Sequence, residues 1–302
     1  MSALLWILWC GDALATEGGG SVRALGVDTV MAGVMGPQGS SRLTGFLSYY
    51  DANETLDSTG HARPGISDFG LEAGAAILRW TFVWPNVQLF GGDIETRVAL
   101  PYAKVKIGFD AQTPAGSLRR QGSESGIGDA LLAPMTLGWH SPRYHQMVGV
   151  YFYLPTGDYD SARLANPGRG YFAWAPVYWF TWFPADGFEI SGNATYVINS
   201  KNSDTQYTSG REAGLDYGIG YDATPAWQVG VSGYLYKQVT NDKVNGQVAG
   251  DGRRGQVVAI GPFVRYHPSR DWGVTLKWQS ESAVENRTQG NRFILQFTYG
   301  LW

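Results

Sequence analysis

The chain has 302 residues, 41 of them glycine, with 14% aromatic and 16% charged residues and a formal net charge of -3. Charged residues fall well below the roughly 25% of soluble domains, and a slightly acidic chain without a basic cluster argues against a nucleic-acid partner. Past the N-terminus no run of ~18 apolar residues occurs, which excludes helical membrane spans; alternating strands, by contrast, leave mean hydropathy near neutral, as here.

The N-terminus reads as an export signal. Ala3 to Trp9 form an apolar core, and Ala13-Leu14-Ala15 is a small-residue cleavage pattern, although the positive flank is missing. This divides the chain into a signal peptide over 1–15 and one domain over 16–302. Cys10 is the only cysteine and lies inside the signal. A lipidated Cys10 is disfavoured by bulky Trp9 before it, and the mature chain would carry no disulfide.

Strand-like segments follow at about 42–50, 69–84, 94–109, 128–140, 144–155, 171–183, 188–199, 212–222, 227–239, 256–267, 272–281 and 291–302. The connections over 51–68, 110–127, 156–170, 200–211, 240–255 and 282–290 are long and rich in Gly, Ser, Asp and Asn. Those at 140–143, 184–187, 222–226 and 267–271 are short, and 85–93 is the longest of the short class. Alternating long and short connections predict an all-β fold, a transmembrane antiparallel up-and-down β-barrel. It would have about twelve strands, long external loops and short periplasmic turns. Strands of about ten residues are roughly twice the length usual in a soluble sandwich.

Period-two patterning assigns the faces. In 128–140, Leu131, Ala133, Met135, Leu137 and Trp139 form the apolar side. In 188–199, Ile190, Ala194, Tyr196 and Ile198 oppose Glu189, Ser191, Asn193 and Thr195; in 272–281, Trp272, Val274, Leu276 and Trp278 oppose Lys277, Gln279 and Glu281. Trp and Tyr near strand ends fit the two aromatic girdles of a membrane barrel. Two segments lose phase. In 94–109 the apolar side passes from Ile94, Thr96, Val98 and Leu100 to Ala103, Val105, Ile107 and Phe109, which predicts a bulge at Pro101. In the last strand Phe293, Leu295, Phe297, Tyr299 and Leu301 share a face while Trp302 is one step out, which predicts a bulge near Gly300.

The stretches GIGDALLAPMTLGW, YLPTGDYD, YFAWAPVYWFTWFP, YVINSKNSDTQYTSG, GLDYGIGYD and VAIGP, in this order over 126–302, resemble the outer-membrane family named for the meta-pathway of phenol degradation. EGGG at 17–20 and Phe46 to Tyr50 give a weaker echo. The resemblance implies an integral protein of the bacterial outer membrane that lets small hydrophobic or aromatic compounds pass. It also implies recognition of the C-terminal strand by the barrel-assembly machinery.

The polar faces give the candidate lumen residues: Glu95, Arg97, Lys104, Lys106, Asp129, Glu189, Glu212, Asp216, Lys277, Gln279, Glu281, Arg292 and Gln296. Both signs occur, so no strong ion filter is expected. They are either salt-bridged struts of a narrow barrel or the wall of a permeation path. Tyr234 and Tyr236, beside Gln228, Ser232 and Gln238, fill the lumen or stack against an aromatic solute. Loop residues Tyr159, Tyr207, Asp158, Asp160 and Asp204 read as solvated turns before an entry or cation site. The four histidines, His61, His140, His145 and His267, sit in loops or beside turns, and no G-x-S-x-G or metal-spaced set appears. Catalysis and cofactors are therefore not expected. With no phosphate-binding loop, passage would be passive. Pro101 and the Gly-rich strands are candidate places for a lateral opening. The alternatives are a plugged structural or adhesive barrel and, further off, an outer-membrane hydrolase.

Overall fold

The computed structural model describes residues 17–301, so the signal peptide expected over 1–15, Cys10 and Trp302 lie outside the described residues. After a short 3-10 turn at Glu17–Gly19 come sixteen strands. They are β1 Ser41–Thr55, β2 Ile66–Leu89, β3 Gly92–Thr113, β4 Gly116–Ile127, β5 Ala130–His140, β6 Tyr144–Leu154, β7 Ala173–Trp182, β8 Phe188–Asn199, β9 Tyr207–Thr208, β10 Glu212–Thr224, β11 Trp227–Gln238, β12 Lys243–Val244, β13 Gln247–Val248, β14 Gln256–Tyr266, β15 Trp272–Glu285 and β16 Thr288–Leu301. Three of them, β9, β12 and β13, form a small sheet in the loops. The rest close into a barrel: β1 pairs with β16 from Ser41↔Leu301 to Thr55↔Thr288, and every other neighbour in the wall is antiparallel.

Twelve staves make the wall because β4 and β5 share one of them. β4 pairs with the upper part of β3, from Tyr102↔Ile127 to Thr113↔Gly116, and β5 with its lower part, from Ala99↔Leu131 to Asp93↔Gly138. The two meet at Gly128–Asp129, beside Pro101. The composition of β4, GSLRRQGSESGI, reads as loop. It stands above the membrane with lipid on neither face, so nothing imposes the apolar alternation on it.

The exterior carries the side chains a soluble protein would hide. Leu47, Leu78, Leu100, Ile219, Ile260 and Leu276 are each more than 45% exposed, a continuous apolar band that only lipid can cover. Aromatic side chains bound it. Phe188 meets Tyr221 at 4.8 Å and Trp227 meets Tyr266 at 4.6 Å near the short turns, while Phe152 meets Phe172 at 6.2 Å near the long loops.

Three expectations about phase are corrected. Against β2 the register of β3 runs unbroken through Pro101. The apolar side changes there because the surroundings change. Below Pro101 the outside is lipid, whereas above it the outside is water and the inside is a small core in which Ile107 and Phe109 pack with Leu164 and Ala165 of the β6–β7 loop. Lys104 and Lys106 consequently point outward, Lys106 facing Glu72 at 3.4 Å; they are not lumen residues. The actual slip lies in β5, where pairing with β6 is interrupted between Leu132 and Thr136. Ala133 is fully buried on the inside and Met135 is exposed on the outside, so the run Leu131 to Trp139 is not one face. Near the C-terminus no bulge occurs at Gly300, which pairs in register with Arg42.

A lumen occupied by the N-terminal segment

Residues 17–40 have no strand period, and they do not wrap the outside. They thread the barrel from the long-loop mouth to the periplasmic end. At the mouth the Glu17 carboxylate accepts hydrogen bonds from Tyr159 (3.3 Å), Asn202 (2.9 Å) and Thr205, and the Glu17 amide donates to Ser209. Burial against that carboxylate pushes the Tyr159 hydroxyl up to about 12. One turn further in, the Ser21 hydroxyl donates to Glu212. Arg23 pairs with Asp216 at 2.9 Å, both side chains almost fully buried.

Mid-barrel the segment is held by its backbone. Lys277 donates to the Val27 carbonyl at 2.6 Å and Gln279 to that of Gly26 at 3.2 Å. Asn193 donates to the Asp28 carbonyl, the Met31 amide donates to Glu189 and the Gly33 amide donates to Thr181. The Asp28 carboxylate meets Arg79 of β2 at 2.7 Å. At the periplasmic end Gly39 and Ser40 exchange backbone bonds with Val83 before β1 begins. Irregular chain in a barrel needs its polar groups satisfied, and the inner wall supplies the partners.

The Gly-rich run of β10 makes room for this. A Cβ at Gly218 would stand 2.2 Å from the Thr29 carbonyl oxygen, and one at Gly214 would meet the Arg23 guanidinium at 1.8 Å. Glycine inside a strand marks such close approach. β10 is paired along both sides, so the Gly-rich strand is not a seam.

Other inner groups hold one another. Arg97 pairs with Glu95 and lies 4.7 Å over the Trp179 ring. Glu281 accepts from Tyr50 at 2.7 Å and from Tyr234, and Arg292 stacks on both rings. Arg287 lies 4.3 Å over Tyr236. Between β3 and β8 runs an apolar column on β5–β7. Ala133, Met147, Tyr151, Tyr153, Val177 and Trp179 pack with Ala32 and Met35 of the segment.

The family described as "Putative MetA-pathway of phenol degradation" matches residues 52–297. The chain belongs to this family. Among solved structures it is similar to an outer membrane channel from Pseudomonas putida F1, with a TM-score of 0.73 at 17% identity over 88% of this chain and 97% of that one. A FadL homologue from Pseudomonas aeruginosa (TM-score 0.42, 10% identity, 91% and 93% coverage) and the β domain of the Bordetella autotransporter BrkA (0.43, 12%, 87% and 100%) match less well. No curated protein matches the sequence. Shared fold, family and apolar exterior together place the chain in the outer membrane as an integral barrel.

In this family member, Glu95, Arg97, Glu189, Glu212, Asp216, Tyr234, Tyr236, Lys277, Gln279 and Glu281 are all buried on the inside, and Arg292 faces the same way. Of these, Glu189, Glu212, Asp216, Lys277 and Gln279 hold the N-terminal segment itself. Asp129 sits at the β4–β5 joint, accepting from the Gly157 and Arg169 amides. Ser191 and Ser232 are bonded to Glu189 and Gln279. His140 and His145 face each other at 3.0 Å on the periplasmic side, and His267 stands 3.9 Å from Asp222. The partners that sequence reasoning missed are Glu17, Ser21, Arg23 and Asp28. Their signal was a charged pair, Arg23 and Asp28, in a Gly-rich stretch with no strand of its own.

Proposed function

We propose that the protein is a passive outer-membrane conduit for small hydrophobic or aromatic compounds. The observation that carries this is the apolar column on the inner face of β5–β7. Tyr171 and Tyr153 open it at the extracellular end, Tyr151 and Trp179 continue it, and it reaches the wall where β5 slips at Pro134. There the ladder to β6 is missing between Leu132 and Thr136, so the wall lacks the cross-strand bonds that seal it elsewhere. A greasy solute would enter among the loop aromatics, slide between the column and the N-terminal segment, and leave sideways into the bilayer. The Pseudomonas putida neighbour is described as an outer membrane channel, which supports this reading.

The polar residues act as struts on this view. They hold the segment chiefly against β8, β10 and β15, with Arg79 on β2 and Thr181 at the foot of β7, which leaves the apolar part of β5–β7 as the yielding side. No acid, base or nucleophile is assigned a chemical step. The outward-facing alternation of β16, from Phe293 to Leu301, is the part offered to the assembly machinery. The occupied lumen also favours a second reading, a plugged barrel that anchors its loops.

Single-channel recording of the full mature chain in planar bilayers, with phenol, toluene and benzoate titrated as blockers, separates the two. Conductance lowered by one of these compounds supports the conduit. A silent membrane, together with no toluene entry into liposomes carrying the folded barrel, leaves the anchor.

A further inference from the structure

The lipid-facing wall is not evenly convex. A furrow of about 830 Å³ crosses it from β6 to β14. One bank is the cross-strand row Val148, Tyr178, Ala194, Leu215, Leu235 and Val258, and the other includes Tyr196, Ala213, Lys237 and Gln256. Six strands at ~4.8 Å spacing make the furrow roughly 24 Å long. Small side chains at Ala194 and Ala213 deepen it between the larger Tyr178, Tyr196 and Leu235. The furrow slopes. Its β11–β14 end lies at the top of the wall, where Gln256 is the first residue of β14 and Lys237 the last but one of β11. Its β6 end, at Val148, lies toward the periplasmic half.

Cations stand at the high end only. Lys237 faces outward beside Ala213, and Arg211 precedes Ala213 by two residues; both are exposed. Neither makes an ion pair among the described residues. Glu285, opposite Gln256, is one strand further round. A hydrocarbon slot that descends from a basic rim has the shape and polarity of one anionic lipid: a chain below and a phosphate above. The long-loop side sets its source as the outer leaflet.

We infer that the furrow seats one acyl chain of a lipopolysaccharide molecule, with its phosphate held by Lys237 and Arg211. The test is native mass spectrometry of the full chain extracted from outer membranes in mild detergent, with the retained lipid identified by its mass. One lipopolysaccharide retained per barrel is expected. At least a tenfold lower retained fraction is expected for the double variant Lys237→Glu/Arg211→Glu. The apolar variant Ala213→Leu, which fills the slot without altering charge, should also lower it, with heat-modifiable mobility showing that each barrel is folded. Equal retention by the wild type and both variants would overturn the inference. So would a phospholipid in place of lipopolysaccharide, or no retained lipid.

Discussion

Two stretches of inner wall against the N-terminal segment, one on β8, β10 and β15 and one on β5–β7, which adjoins β8, are built on opposite principles. On β8, β10 and β15 the inner face is Glu189, Asn193, Glu212, Asp216, Lys277 and Gln279, and each of these bonds directly to the segment. On β5–β7 the inner face is mainly Ala133, Met147, Tyr151 and Trp179, which touch Ala32 and Met35 by packing, with a single-atom tie at the foot of β7 where Thr181 accepts from the Gly33 amide. Directional bonds fix a position; apolar packing tolerates sliding and substitution. The segment is thus densely tethered along one side and mainly leaned upon along the other. A barrel can therefore look sealed and still keep a yielding side.

Cutting the tether tests this most sharply. Arg23→Ala leaves Asp216, 1% exposed, without its cation, and breaking a buried pair in this way costs about 3–5 kcal/mol. The cost should fall on seating of the segment and not on the barrel. Conductance and protease cleavage within 17–40 should rise while heat-modifiable mobility persists. If the barrel itself fails to form, the tether is part of the fold and the comparison collapses. Gly218→Ala pushes a Cβ against the Thr29 carbonyl, a backbone contact that cannot swing away, and overpacking of this kind costs about 1–3 kcal/mol. It should loosen the segment as Arg23→Ala does, to a smaller degree. On the β5–β7 wall, Ala133→Phe fills the inside of the β5 slip at a similar cost of about 1–3 kcal/mol. It should slow toluene entry into liposomes and leave cleavage of the segment unchanged. Increased cleavage in this variant would mean that both walls hold the segment.

Most of the wall was legible in the sequence because lipid outside and polar groups inside impose a period of two on every stave. Legibility stopped where that contrast stopped. β4 has water on one side and no second neighbour, so GSLRRQGSESGI carries no period. The slip in β5 was invisible because Leu131, Ala133, Met135 and Leu137 are apolar on both sides of it. At Pro101 the pattern changed sign and suggested a bulge, when the strand had simply left the membrane. The lumen residues were legible as inward-facing groups, but their partners were not. The segment over 17–40 is irregular, and its contacts with residues ~150–250 positions away in sequence follow from tertiary structure alone.

The smallest expected effect lies at the periplasmic rim, where Arg265 reaches Glu189 of the tethered wall at 4.0 Å. His267, in the β14–β15 turn, sits 3.9 Å from Asp222. Burial pulls its value below the ordinary histidine range; nearby Arg265 acts in the same direction, and Asp222 and Glu189 partly oppose them. The folded chain therefore prefers the neutral ring. Its contribution is complete above the unfolded value near 6.5 and is lost as pH falls through that value toward the depressed folded one, because the unfolded chain then binds the proton more readily. Thermal melting of the barrel should drop slightly from pH 7.5 to 5.5, and His267→Gln should remove that part of the drop. Conductance should be the same in both proteins at either pH. A change in conductance with His267 would show that the rim is coupled to the lumen.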